Sequence, residues 1–349
     1  MALASGCARV APTPPVAPEV ASGENLARFS EYLWVERLPD SVRVTLRTLG
    51  AATGQTITLP LSGGGYRRIV TLSTTHAAMV AHLGADSLLV GLGQTDYLYS
   101  PRLRALNLPA VAPGGELDLE ALLALRPEVV FLADAQLNPA HTAALARAGV
   151  RVLPGVDWLE PHPLGRAEHL LLAAALTGTL DSAVAYLATV TEAYTALAQR
   201  AQAATPKPTV VGGAPYGEVW YQPGGRSYLA RLVADAGASY PWASDTSQGS
   251  LPLALEVVAE QALTADYWLN PGQMDSQAQL EAAQPRFRPF KPFRTHQLYG
   301  YYARRNAQGG NDYFERGVIE PHVVLADLVS IFHPALVPGH RRVYYQHIP

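Results

Sequence analysis

Alternating apolar and polar positions dominate the start of the chain. Val42 to Leu49 and Gln55 to Leu61 each alternate and are separated by Ala51-Ala52-Thr53-Gly54, which predicts a hairpin or edge strands. Gly63-Gly64-Gly65 then breaks the pattern. It lacks the Gly-Lys-Ser/Thr of a phosphate loop, so it reads as a hinge or loop. Beyond it the pattern changes to short, solidly apolar runs spaced by helical segments. Arg67 to Leu72 predicts a buried strand, and the helix after it runs through Ala77 to Leu83 and stops at Gly84. Strands are expected next at Leu88 to Gly91, Glu128 to Leu132 and Val150 to Leu153, with helices at Leu117 to Leu125 and Pro139 to Ala148 between them. That rhythm predicts a parallel sheet with crossover helices.

The pattern becomes purely helical from Pro161 to Ala203. Leu164, Ala167, Leu171, Ala174 and Ala175 form one apolar stripe, and Val184, Leu187, Thr191, Tyr194, Ala198 and Ala201 form another. Gly178 between them can act as a left-handed stop, with Thr179 or Asp181 capping the second helix. The segment reads as one long helix or two helices in line, spanning roughly 60 Å at about 1.5 Å per residue. Strand and helix signals then return. Strands are expected at Pro208 to Gly212, Glu218 to Tyr221 and Asp266 to Leu269, and helices at Arg226 to Ala236, Leu253 to Leu263 and Pro321 to Phe332. The expected architecture is α/β, with two Rossmann-like lobes joined by a long rigid helix. Residues 24–160 form the first lobe, 161–203 the connecting helix and 204–349 the second lobe, and residues 1–23 precede them.

Composition narrows the function. Among 349 residues, 26 Lys and Arg face 29 Asp and Glu with no basic run, which argues against nucleic-acid binding. The single cysteine, Cys7, excludes an internal disulfide and a cysteine-based metal cluster. Cys7 comes after Leu3-Ala4-Ser5-Gly6 and precedes the Pro-rich Ala11 to Val20, so the opening resembles the end of a bacterial lipoprotein signal joined to an extended tether. Apart from such an anchor, no apolar run is long enough to cross a bilayer.

Three places offer binding chemistry. Ser73-Thr74-Thr75-His76 sits at a strand-to-helix switch, where free amides and the positive helix end face the C-terminal edge of a sheet. The plainer alternative is that Thr74 or Thr75 caps the helix and His76 fills surface. Tyr97 and Tyr99 lie in the loop after the second strand of this lobe. In the second lobe Tyr216, Trp220, Tyr221, Arg226 and Trp242 cluster around Gly224-Gly225, a combination suited to a flat or macrocyclic ligand or, equally, to core packing. Arg304 and Arg305 lead into an Asn/Gly loop able to meet carboxylates or catecholates. No nucleophile elbow and no His-Glu-x-x-His helix occurs, so no catalytic residue is assigned.

The order and spacing of RIVTLSTTHAAMVAHLGA, DLEALLALRPEVVFL, HPLGRAEHLLLAAAL, VWYQPGGRSYLARLVADAGASYPW, SLPLALEVV and GGNDYFERGVIEPHVVLADLVSIFHPAL resemble the substrate-binding proteins of ABC importers of the helical-backbone class. The resemblance runs from about Arg68 to Tyr345. It implies a monomeric, often lipid-anchored protein outside the cytoplasmic membrane, without a cofactor. Such a protein clamps a ferric siderophore, haem or cobalamin between its lobes and delivers it to a membrane permease. Combined with the three places above, ligand contacts are expected from Thr74, Thr75, His76, Tyr97 and Tyr99 on one side and from Tyr216, Trp220, Tyr221, Arg226, Trp242 and Arg304 on the other. Family members dock on the permease through an acidic side chain on each lobe. Glu256 matches one of these positions, and Ala78 stands where many members carry the other.

Two rival readings remain. Relatives of similar architecture hold bare Zn²⁺ or Mn²⁺ with several His and carboxylate ligands, of which His76 alone is well placed here. A hydrolytic enzyme using the same cleft would need a nucleophile with an orienting base.

Overall fold

The computed structural model describes residues 23–48, 54–61, 65–134 and 137–349. Cys7 and the Pro-rich tether lie outside them. The first described element is an antiparallel meander, β1 (Leu33–Arg37), β2 (Ser41–Leu46) and β3 (Gln55–Pro60), paired in that order. Alternation sets its register, with Val42, Val44 and Leu46 facing the core.

Behind it β4 (Ile69–Thr71), β5 (Leu89–Leu92), β6 (Val129–Phe131) and β7 (Arg151–Leu153) form an all-parallel sheet in the order β5-β4-β6-β7. Helix α1 (Thr74–His82) follows β4 and is capped by Ser73, whose hydroxyl accepts from the Thr75 amide. Strands covered on both faces are largely apolar, and β4 and β6 are buried at every position, with Thr71 the one polar residue between them.

Residues 161–203 are not one rod. They form three helices, α2 (Pro163–Glu168), α3 (Leu170–Thr177) and α4 (Leu180–Gln202). Gly178 ends α3 in the left-handed conformation at φ 73°, and the Thr179 amide returns to the Ala174 carbonyl at 2.9 Å. Leu170 to Leu176 are all buried, so α3 is a core helix with no polar face. Each of its four leucines contributes about 1.5–3 kcal/mol of burial. Helix α4 reaches both hydrophobic cores, and its 23 residues span about 34 Å. Its Leu180, Ala183 and Leu187 enter the core of the first half, and Val190, Tyr194, Ala198 and Ala201 that of the second.

The second half begins with β8 (Val210–Gly212). A separate antiparallel sheet comes next, made of β9 (Pro215–Tyr216), β10 (Val219–Pro223) and β11 (Ser250–Ala254), with α5 (Tyr228–Asp235) between the last two. After α6 (Leu255–Ala262) come β12 (Tyr267–Leu269) and β13 (Leu298–Gly300), then α7 (Pro321–Phe332) and β14 (Gln346–His347). The order is β14-β13-β12-β8, with β14 antiparallel at one edge. The α/β class expected from the sequence is therefore what the chain adopts. Among the described residues no helix is long and apolar enough to cross a membrane.

Candidate functional site

A cleft of about 670 Å³ opens where strands of both halves end. The loop after β7 supplies Trp158 and Leu159, while Ala214, Asn270 and Tyr301 follow β8, β12 and β13. These are C-terminal strand ends, where open α/β sheets place ligands. Tyr221 from β10, Tyr228 at the start of α5 and Phe314 add aromatic surface, and Gln248 and Ser250 add neutral polar groups. Trp158, Tyr221 and Phe314 are 48%, 48% and 40% exposed, so their rings are available to a ligand.

Local interactions fix these groups. The Trp158 indole N–H donates to the Gly155 carbonyl at 3.2 Å. Gly155 must lack a side chain, since a Cβ there would lie 2.3 Å from the Leu132 carbonyl oxygen. The Tyr228 and Tyr313 hydroxyls share a hydrogen bond of 2.6 Å, and Tyr301 stacks on Tyr313 with ring centres 4.5 Å apart. Asn270 takes a left-handed φ of 57°, a conformation asparagine tolerates, and its side-chain oxygen accepts from the Tyr301 amide at 3.2 Å.

No Asp, Glu, Lys, Arg or His is among the residues lining this cleft. The nearby charges are neutralised within the protein. Arg304 pairs with Asp312 at 2.8 Å and Arg226 with Glu31 at 3.2 Å. Beneath the walls Arg166 Nε donates to Asp157 Oδ2 at 3.1 Å, with its guanidinium 5.1 Å from the Tyr228 ring centre. Burial pushes the Asp157 carboxyl up, but the His76 hydrogen bond and the adjacent positive charge outweigh it and hold the group well below the usual carboxylate range.

Of the residues singled out from the sequence, Tyr221 lines the cleft. Trp220 does not. It is fully buried against Trp268, Phe287 and Phe290, and its indole N–H donates to the Gly212 carbonyl at 2.9 Å. On β10 alternate side chains point to opposite faces, so Tyr221 and Trp220 cannot share one wall. His76 is likewise fully buried, stacked 3.6 Å from Phe131 with Nε2 2.9 Å from Asp157, so it fills core instead of a mouth. Thr75 is buried and donates to the Phe314 carbonyl at 2.6 Å, and Thr74, half-buried, opens α1. Tyr97 and Tyr99 lie on a loop met from the second half, with Arg304 5.6 Å from the Tyr99 ring centre. Tyr216 is 83% exposed at a hairpin tip outside the cleft lining, and Trp242 is half-buried and edge-on to Tyr240 at 5.5 Å. Ala78 is buried, whereas Glu256 is exposed in the first turn of α6.

Sequence reasoning does not single out Trp158, Asn270, Tyr301 or Phe314. The available signal is positional, because Asn270 and Tyr301 directly follow β12 and β13. Among the described residues no three His, Cys, Asp or Glu side chains converge to hold a metal ion. The arrangement suits non-covalent capture. Rings supply area, and amides and hydroxyls supply orientation.

The family model described as periplasmic binding protein matches residues 69–303, more than half of the chain. An uncharacterized lipoprotein of Methanocaldococcus jannaschii is 22% identical over 295 residues, covering 80% of this chain and 68% of that one. Among solved structures, the periplasmic heme-binding protein HutB of Vibrio cholerae superposes with a TM-score of 0.59 at 19% identity, covering 74% of this chain and 98% of that one. The periplasmic heme-binding protein RhuT of Roseiflexus sp. RS-1, in its apo form, gives a TM-score of 0.59 at 20% identity over 78% of this chain and 100% of its own.

Proposed function

This chain belongs to the periplasmic binding protein family, and on that footing we propose that it captures a flat, metal-bearing chelate of low net charge and delivers it to an ABC permease. The observation that carries this is the cleft itself: aromatic faces from both halves, neutral polar groups between them, and no charged side chain on its lining. A bare cation would find no ligand set there, and a strongly anionic chelate no unpaired cation. A tetrapyrrole, a corrinoid or a neutral ferric siderophore matches both the area and the polarity. Cys7 would carry a lipid, a reading supported by the lipoprotein name of the archaeal relative. The exposed Glu256 would meet the permease.

The test is native mass spectrometry with absorption spectra after incubation with haemin, cyanocobalamin, several ferric siderophores, Zn²⁺ and Mn²⁺. A one-to-one chelate adduct is expected. Trp158→Ala and Tyr221→Ala should weaken it by about 1–3 kcal/mol while leaving thermal stability unchanged. Trp220→Ala should instead cost about 3–5 kcal/mol of stability. Uptake of a bare divalent ion and no chelate would refute the proposal.

A further inference from the structure

Residues 24–60, which hold the meander and the segment leading into it, lie outside the family match at 69–303. Two residues of that segment reach across to the second half. Tyr32, itself buried, donates its hydroxyl to Gln248 Oε1 at 2.8 Å, and Gln248 lines the cleft. Gln248 Nε2 lies 3.4 Å from Glu31 Oε2, and Arg226 Nη2 lies 3.2 Å from Glu31 Oε1. Arg226 and Gln248 belong to one local unit, since the Arg226 amide donates to the Ser247 carbonyl at 3.0 Å and the Gly224 amide to the Gly249 carbonyl at 2.8 Å.

The backbone of the segment is held to the first half. Glu160, which directly follows the cleft residue Leu159, accepts from the Glu31 amide at 2.8 Å and the Tyr32 amide at 3.2 Å. Glu168 accepts from the amides of Arg28, Phe29 and Ser30 at 2.8–2.9 Å. A continuous path of contacts therefore joins the wall bearing Trp158 and Leu159 to the wall bearing Gln248, and it passes through residues that lie outside the family match.

We propose that Glu31 and Tyr32 are positioning residues of the cleft, strapping its two walls together and orienting the Gln248 amide. The segment leading into the meander is then a working part of the binding apparatus. The orienting role rests on the cleft being the ligand site, whereas the strap does not. A net hydrogen bond of this kind biases an equilibrium by roughly 2- to 10-fold, and the three contacts act on the same separation.

The strap is tested without any ligand. In a Cys7→Ser background, spin labels at the exposed positions Arg147→Cys and Glu260→Cys report the distance between halves by double electron–electron resonance. The parent should give one narrow distribution. Glu31→Gln combined with Tyr32→Phe, which keeps the buried ring, should add a longer component. Gln248→Leu, made from the opposite wall, should do the same, and the exchange Glu31→Arg with Arg226→Glu should restore the narrow distribution. Distributions unchanged in both the Glu31→Gln/Tyr32→Phe and Gln248→Leu proteins would overturn the strap. With haemin and cyanocobalamin as probes, the strap variants should release any bound probe about 2- to 10-fold faster than the parent. Equal release from parent and variants would overturn the orienting role. Altered distances in a protein that binds neither probe would uphold the strap and count against a tetrapyrrole or corrinoid ligand.

Discussion

Asp157→Asn tests how the cleft is supported from below. Asp157 precedes the cleft residue Trp158, and its Oδ2 accepts from Arg166, whose guanidinium lies against Tyr228 in the opposite wall. Asp157 is 4% exposed, and the Arg166 side chain is 12% exposed. The substitution keeps size and one acceptor oxygen but removes the charge, leaving a buried guanidinium without its counter-charge. Breaking a buried pair from one side costs roughly 3–5 kcal/mol, and the retained acceptor places the expected loss near the lower figure, about 3 kcal/mol. Urea unfolding followed by circular dichroism measures it. Asp157→Asn with Arg166→Met should recover part of the loss, because removing both charges removes the unpaired one. The folded carboxyl is held below its ordinary value of 3.8, so its stabilisation is present above that value and disappears only as pH falls through the lower folded one. The gap between wild type and variant should therefore stay constant from about pH 5 to pH 8. A loss under about 1 kcal/mol, or a double variant no more stable than the single one, would refute the argument.

Two carboxylates should give the opposite pH behaviour. Burial pushes Glu168 and Glu315 up to about 7, against the amides of Arg28, Phe29 and Ser30 in the first case and of Tyr99 and Ser100 in the second. A folded value raised above the ordinary 4.5 means stability that is complete below 4.5 and is lost as pH rises through about 7. The unfolding free energy should fall between pH 5 and pH 8, by on the order of 1–3 kcal/mol per group and with it the urea midpoint, and Glu315→Gln should remove its share of the slope. A wild-type midpoint that does not fall would sink this reading. Glu256→Ala, at an exposed helix start, should change stability by less than about 0.5 kcal/mol and leave chelate binding intact while lowering uptake into proteoliposomes bearing the permease. Undiminished uptake would remove Glu256 from the docking surface.

The fold is legible where local pattern and tertiary burial agree. Strands β4, β6 and β8 are buried at every position because both of their faces are covered, and apart from Thr71 and Gly212 they appear in the sequence as short apolar runs. On α4, Leu187, Tyr194, Ala198 and Ala201 are buried as the stripe predicts. The start of α6 departs from its expected place, since Leu253 and Ala254 belong to β11 and the helix begins at Leu255. A residue that pairs with Trp220 across a sheet carries no local mark of doing so. The straight rod fails for a related reason. Helix α3 is so uniformly apolar that its stripe cannot tell a connector from a core helix, and only the turn at Gly178 separates it from α4.

The binding site is less legible because a strand end is a site only if nothing else covers it. Ser73 to His76 has the right position on the sheet and the right side chains, yet Thr75 is taken by the carbonyl of Phe314 and His76 by Asp157, 239 and 81 residues away. No pattern within a few residues of His76 reports those partners. The ends of β12 and β13 carry Asn270 and Tyr301, which have no distinctive local signal in the sequence, and they remain open to the cleft. The same reasoning separates Tyr221 from Trp220: they share a strand and an aromatic character, and the side of the sheet each faces assigns one to the ligand and the other to the core. Residue type therefore proposes the chemistry, while long-range cover decides where in the fold it can be used.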